Sequence, residues 1–378
     1  MKLRRILHVN GAMNMGGAET MVMNLYRNIN RSDYQFDFLY YTKEKCHFDQ
    51  EIINLGGQIF RVKAPNPGNY LNFIKNVRDV IKNQGPFSAI HIHTLLNSGL
   101  VAYAAKKEGV PIRIVHALST KGGKKESYIY KIYEKVMKNL IRGNTTHFIA
   151  CGNDAGDYLF GKEKYSTSGI FLPNAIDVDR FMSYDEKTIF SLRNTLGISN
   201  DTLIIGQIGA FKDVKNHHFS LKIAKMLRDK NINFCMLFIG DGENRETLKE
   251  QVSNNELSDY VRFLGIRTDI PELLSMLDIL IMPSLFEGLP VTLIEAQAAR
   301  VPAVISTNIS EEVDFQLGLI KRLNLSESVE LWVKEIEFLS SHKKYVEPNK
   351  IYNAFGERGY LIQESVKILE KIYSTKNL

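Results

Sequence analysis

Cysteine is scarce in this chain. Cys46, Cys151 and Cys235 are the three among 378 residues, and they lie far apart. Such spacing builds neither a disulfide framework nor a zinc-finger ligand pattern, and it suits a reducing, cytoplasmic compartment. Long apolar runs are missing as well. No stretch of 18 apolar residues occurs, so no membrane-spanning helix is expected. Near the N-terminus the charges of Lys2, Arg4 and Arg5 precede too few apolar residues for a signal-peptide core, and Ile6–Asn10 reads as a first strand. Three further absences narrow the chemistry: there is no G-x-G-x-x-G, no G-x-x-x-x-G-K-[ST] and no H-E-x-x-H. Dinucleotide dehydrogenases, P-loop kinases and zinc hydrolases therefore lose their usual supports. No signature of a DNA- or RNA-binding module is present either, and no nucleic acid is expected as a partner.

What is present is a soluble composition, 44% hydrophobic and 24% charged, in a length that suggests two domains. The net charge of +6 is unevenly spread. Residues 1–182 carry 25 Lys and Arg against 15 Asp and Glu, and the remainder carries 23 against 27. A basic first half points to an anionic partner there; charge alone admits nucleic acid or an anionic lipid surface, and the missing nucleic-acid signature leaves the lipid surface. Short apolar runs alternate with helical patterns through both halves. Strands are expected at Ile6–Asn10, Phe36–Tyr41, Gln58–Val62, Ala89–His93, Arg113–His116, His147–Ala150 and Gly169–Leu172, then at Leu203–Ile208, Phe234–Ile239, Val261–Phe263, Ile279–Met282 and Ala303–Ser306. Helices fill the gaps, the last over Ala354–Ser374. That order implies two consecutive doubly wound α/β units meeting near Asp177–Leu196, with ligands outside the carboxyl ends of the strands.

One stretch organises the reading: Pro283-Ser284-Leu285-Phe286-Glu287-Gly288-Leu289-Pro290, followed by a helix from Val291. It is strand, small loop, helix N-terminus. Unpaired amides and the positive end of the helix dipole make such a tip an anion site. Glu287 sits in the loop and Glu295 about one turn into the helix. Ionised carboxylates are acceptor-only groups that grip hydroxyls. An anion site between two such acids suits a phosphate joined to sugars.

This Glu-x7-Glu loop resembles the signature of retaining, family-4-type glycosyltransferases of the GT-B fold, as found in bacterial exopolysaccharide and capsule assembly. The resemblance implies two Rossmann-like domains facing each other across a cleft. An acceptor-binding domain would span 1–180 and a nucleotide-sugar-binding domain 181–378, with the last helix able to pack back on the first. It further implies a nucleotide-diphosphate sugar donor, a UDP-sugar being the working choice, and a lipid-linked saccharide acceptor. No cofactor and no metal are implied. The stretch Asn174-Ala175-Ile176-Asp177-Val178-Asp179 contains an Asp-x-Asp, but it resembles the Asn-Gly-Ile-Asp segment that closes the first domain and is not expected to bind a metal.

By the same resemblance Glu295 holds the ribose hydroxyls and Glu287 those of the donor sugar. The amides of Gly288 and Leu289, Lys215, and the Gly16–Gly17 loop stabilise the departing diphosphate. Gly240, Gly242, Ile266 and Arg267 lie near the nucleotide, and His116 orients sugar or acceptor. Three positions depart from the family pattern: Ala210 stands where an Arg is usual, Leu118 where a second His is usual, and Arg300 where a Gly ends a helix. These departures keep open a non-catalytic nucleotide-sugar-binding subunit; a nucleotide-sugar 2-epimerase is a second rival on the same fold. His91 and His93 share one strand face, either as core histidines or as a metal pair lacking an obvious third ligand. Lys124–Arg142 is amphipathic: it reads as a helix packed on the first sheet and also as a basic face for an anionic membrane.

Overall fold

The computed structural model describes residues 3–119, 127–183, 186–342 and 344–375. The chain divides into two compact units, Met1–Ile176 with Gly359–Leu378, and Asp177–Arg358. The first contains a seven-stranded sheet built from β1 (Arg4–Asn10), β2 (Tyr34–Tyr40), β3 (Ile59–Arg61), β4 (Ala89–Ile92), β5 (Ile112–Ala117), β6 (His147–Ala150) and β7 (Gly169–Phe171). The strand order is β3-β2-β1-β4-β5-β6-β7, and every pairing is parallel. The second unit repeats the design with β8 (Leu203–Ile208), β9 (Phe234–Ile239), β10 (Val261–Gly265), β11 (Ile279–Met282), β12 (Ala303–Ser306) and β13 (Ile320–Leu323). Their order is β10-β9-β8-β11-β12-β13, again all parallel.

Helices cover both faces of such sheets, which is why the strands are continuous apolar runs and not alternating ones. All four residues of β11, Ile279 to Met282, are buried. In each unit the order reverses once, between β1 and β4 and between β8 and β11. At such a switch point the loops after two neighbouring strands diverge and leave a crevice for a ligand.

The strands expected from periodicity are all present. The structure adds β13, whose sequence Ile320-Lys321-Arg322-Leu323 carries two cations and so gives no apolar run. It lies at the sheet edge, where charged side chains are common. It also adds short helices at Lys162–Ser168, Val178–Met182 and Glu186–Thr195. The single helix expected over Ala354–Ser374 is two, Pro348–Glu357 and Ile362–Ser374. Between them Gly359 takes φ +75°, the left-handed conformation that ends a helix. Ile362, Leu369, Ile372 and Tyr373 then pack with Ile6, Phe36 and Ala89 of the first sheet. Arg300 does adopt the backbone that a glycine would favour, at φ +59°, and its guanidinium lies 5.5 Å from the Tyr345 ring centre.

Candidate active site

The second unit's switch point assembles most of the residues singled out above. The loop after β8 forms one 3₁₀ turn, Asp213–Lys215, and Asn216 then turns left-handed at φ 54° to start the helix His217–Asp229. The loop after β11 leads to the helix Val291–Ala298. Two bonds tie these loops together: the Leu285 amide donates to Val214 O at 2.8 Å, and Asn216 Nδ2 donates to Pro283 O at 3.0 Å. From below, Gln207 Nε2 donates to the Lys215 carbonyl at 2.8 Å, while Gln207 Oε1 accepts from Ser220 Oγ at 2.7 Å.

Lys215 and Glu287 consequently meet. Lys215 Nζ lies 2.5 Å from Glu287 Oε1, with both side chains mostly buried, and Ser284 Oγ donates to the same oxygen at 3.4 Å. The lysine stem runs over Gly209, where a Cβ would stand 3.2 Å from Lys215 Cε. Across the rim a Cβ on Gly240, at φ +142°, would fall 2.1 Å from Gly209 O, and one on Gly242 would strike the Phe211 backbone at 2.6 Å. Only glycine lets the carboxyl ends of β8 and β9 close up this tightly. The expected glycines thus shape the rim. Ile266 is exposed at the end of β10, while the Arg267 guanidinium is engaged by Asp269 through a 2.7 Å bond and a second, shorter one. That pairing holds the Asp269 carboxyl below its ordinary value.

The amides of Gly288 and Leu289 have no hydrogen-bond partner among the described residues, and Gly288 faces open space. They precede the helix Val291–Ala298, so the dipole and the free donors point the same way. Glu295 is 9% exposed. Burial pushes its carboxyl up to about 7, against an opposing pull from Arg180 in the helix Val178–Met182. Among the described residues its carboxylate makes no hydrogen bond and no close ion pair. A buried acid with all its acceptors unspent is poised for hydroxyl donors from outside the chain. Sequence reasoning missed Arg180, Ser284, Asn216 and Gln207. Asn216 alone left a signal, since Asn before a helix tolerates the left-handed conformation.

In the first unit Gly16 caps the helix Gly17–Asn28 in extended backbone. A Cβ on Gly16 would lie within 2.4 Å of Glu19 Oε2. This helix tip therefore already carries an acid, whose carboxyl burial pushes upward. His116 was expected to orient sugar or acceptor. It is 1% exposed, its Nε2 is 3.3 Å from the Leu172 carbonyl, and burial lowers its imidazole to about 4. The pair His91 and His93 does have a third neighbour, His8.

Residues 15–180 match the family Glycosyltransferase Family 4, and residues 189–357 match Glycosyl transferases group 1. EpsF of Bacillus subtilis (strain 168), named as a candidate glycosyltransferase, is 40% identical over 98% of this chain and 96% of its own length. The Escherichia coli enzyme UDP-Gal:alpha-D-GlcNAc-diphosphoundecaprenol alpha-1,3-galactosyltransferase is 25% identical over 62% of this chain and 63% of its own length. Among solved structures, Anabaena HepE in complex with UDP-glucose superposes with a TM-score of 0.76 at 18% identity, covering 98% of this chain and 100% of that one. Two doubly wound parallel-sheet units, each matched by its own glycosyltransferase family model, and an end-to-end alignment with a relative at 40% identity place this chain among the family-4-type glycosyltransferases of the GT-B fold.

Proposed function

We propose that the chain is a retaining glycosyltransferase that moves a sugar from a UDP-sugar to a hydroxyl of a lipid-linked saccharide during assembly of an exopolysaccharide or capsule. The observation that carries this reading is the Glu295 carboxyl, buried and without a hydrogen-bond partner among the described residues, on the helix whose N-terminal loop holds the Gly288 and Leu289 amides, also unpartnered among them. Glu295 receives the ribose hydroxyls and Glu287 those of the donor sugar. Lys215 and the two amides take the charge that grows on the diphosphate as the bond from C1 to phosphate oxygen breaks. The acceptor oxygen bonds to C1 on the face being vacated, and its proton passes to the departing phosphate. No protein nucleophile is assigned. Uridine, a lipid-linked acceptor and an α linkage are favoured because the E. coli relative's name carries all three, and HepE is titled with UDP-glucose.

The test is incubation with UDP-glucose, UDP-galactose and their N-acetyl forms plus polyprenyl-diphosphate sugars, reading freed UDP and the product anomer by NMR. Acceptor-dependent UDP release with an α product is expected. Binding of UDP-sugars with no turnover on any acceptor would instead support a non-catalytic subunit, and inversion at C2 of the donor an epimerase.

The helix Tyr128–Asn144 bears on the acceptor. Met137 and Ile141 are buried with Tyr133 and Leu140 against the core. A second apolar stripe is exposed: Ile129 at 79%, Ile132 at 51% and Val136 at 47%. Lys135, also exposed, lies beside it. The basic residues Lys124 and Lys125 lie outside the described residues. No helix among the described residues is long and apolar enough to cross a membrane. An apolar stripe edged with lysine on a helix already anchored by its other face fits the surface of an anionic bilayer, where a lipid-linked acceptor is held. Replacing Ile129, Ile132 and Val136 together with serine is expected to reduce binding to phosphatidylglycerol vesicles by roughly tenfold or more. Flotation that ignores both salt and this replacement would sink the assignment.

A further inference from the structure

The first unit holds an unexplained cluster of buried histidines at its own switch point. β1 and β4 are neighbours there, and His8 stands opposite His91 in register. His93 follows β4, and His116 lies on β5. His8 Nδ1 is 3.1 Å from His93 Nε2. The ring centres of His91 and His93 are 4.4 Å apart, and the His8 ring lies 5.0 Å and 5.4 Å from those two. One nitrogen from each of these three rings falls within 4.8 Å of the others. His116 flanks them at 5.4 Å from His91 and 5.5 Å from His93, centre to centre.

Hydrogen-bond accounting shows that this is not a satisfied core. A neutral imidazole has one N–H and one lone pair. The contact between His8 and His93 uses one N–H of the two available. Both remaining nitrogens, His8 Nε2 and His93 Nδ1, are buried without partners, so a donor is stranded whichever ring gives the shared proton. His91 Nδ1 is 2.8 Å from the Tyr373 hydroxyl, and its Nε2 is also unpartnered. A stranded buried donor is rare in folded proteins and often marks an ion or water.

We propose that His8, His91 and His93 hold a divalent ion of the zinc class, with Tyr373 orienting His91 toward it. The facing nitrogens of His8 and His93 are set close to what a tetrahedral centre requires, since bonds of about 2.0–2.1 Å separate two ligand nitrogens by about 3.4 Å. An all-imidazole set without carboxylate or thiolate suits zinc, nickel or copper and not magnesium or calcium. His91 and His116 have the outer contacts of metal-bound histidines, whereas the outer nitrogens His8 Nε2 and His93 Nδ1 would keep their protons without a partner. His91 can donate Nδ1–H to Tyr373 and so present the Nε2 lone pair, and His116 can donate Nε2–H to the Leu172 carbonyl and so present Nδ1. Three imidazoles fill three of the four tetrahedral positions, and His8 and His91 are fully buried. Through Tyr373 the centre fastens the helix Ile362–Ser374 to the first sheet.

The chain should be stripped with dipicolinate and titrated with ZnCl2 by calorimetry, with the unfolding midpoint followed in parallel. One tightly bound zinc per chain and a zinc-dependent rise in midpoint are expected. His93→Asn, at the half-buried ligand, should bind zinc at least roughly tenfold more weakly while the stripped protein unfolds as before. Tyr373→Phe, which removes only the orienting hydroxyl, should cost about 10- to 100-fold in zinc affinity. His47→Ala, at an exposed histidine outside the cluster, should change neither. No zinc-dependent shift in the stripped parent chain, or unaltered zinc binding by His93→Asn, overturns the proposal; the cluster would then be one that houses water.

Discussion

Lys215→Ala is expected to lower turnover by about two to three orders of magnitude while leaving UDP-sugar affinity within about tenfold. The reason for the split is where the charge appears. The intact donor already carries two negative charges in water, but its leaving oxygen gains charge only as the sugar departs. A fixed ammonium beside that oxygen therefore favours the transition state over the ground state. Lys215 is well suited to the task. Its stem lies over Gly209, its carbonyl is pinned by Gln207, and its Nζ is held 2.5 Å from Glu287. The ion pair raises a rival account, in which Lys215 merely holds Glu287 in place. A double-mutant cycle separates the two. If Lys215 only positions Glu287, then Lys215→Ala should do no further harm once Glu287→Gln is present. If it acts on the diphosphate, the penalty persists in that background. Steady-state kcat and KM for the four proteins decide the matter, and a loss of less than about threefold in kcat for Lys215→Ala would remove the leaving-group role. Ala210, exposed where the family resemblance leads one to expect an arginine, makes the prediction sharper, because under the proposed function Lys215 would carry more of the diphosphate charge alone.

Much of this architecture could be read from the residues because parallel sheets announce themselves. Strands buried on both faces are short apolar runs such as Phe234–Ile239, whose bounds came out unchanged. The edge strand β13 escaped because half of it is charged, and periodicity has no purchase on a four-residue edge. The Glu-x7-Glu loop was legible because a helix tip, a glycine and two acids sit within one short segment. Pairings across the chain were not. Only the resemblance placed Lys215 and Glu287, 72 positions on, at one donor; their direct ion pair follows from β8 and β11 being neighbours. His8 and His91 met for the same reason, through the register of β1 and β4. Local motifs encode which chemistry is possible. The strand order decides which motifs share a site.

Glu295→Gln should have two effects of opposite sign. Burial raises the Glu295 carboxyl from 4.5 to about 7 in the folded chain. Between those values the folded state keeps a proton that the unfolded state has lost, so raising the pH favours unfolding. Above about pH 7 the whole cost is present, and at about 1.4 kcal/mol per pH unit it amounts to about 3 kcal/mol. Glutamine has nearly the same shape and no proton to lose. The variant should therefore be more stable than the parent at pH 8 by up to about 3 kcal/mol, and this advantage should fade as the pH falls through 7 toward 4.5. Donor binding should move the other way. A carboxylate gives the ribose hydroxyls charged acceptors that an amide replaces with one neutral oxygen, a loss of about 1.5–3 kcal/mol, or roughly 10- to 100-fold in affinity at pH 8. For the parent chain that affinity should decline below pH 7 as Glu295 takes up its proton, while the variant's profile stays flat. The ligand must be the intact UDP-sugar, because the terminal phosphate of free UDP titrates in the same range and would imitate the effect. Calorimetry from pH 5.5 to 8.5 beside urea unfolding at the same pH values measures both. Parallel binding profiles for the two proteins would show that Glu295 does not grip the ribose, whatever the stability data say. A stability gain coupled to a loss of binding would show why an acid is kept buried there at a cost to the fold.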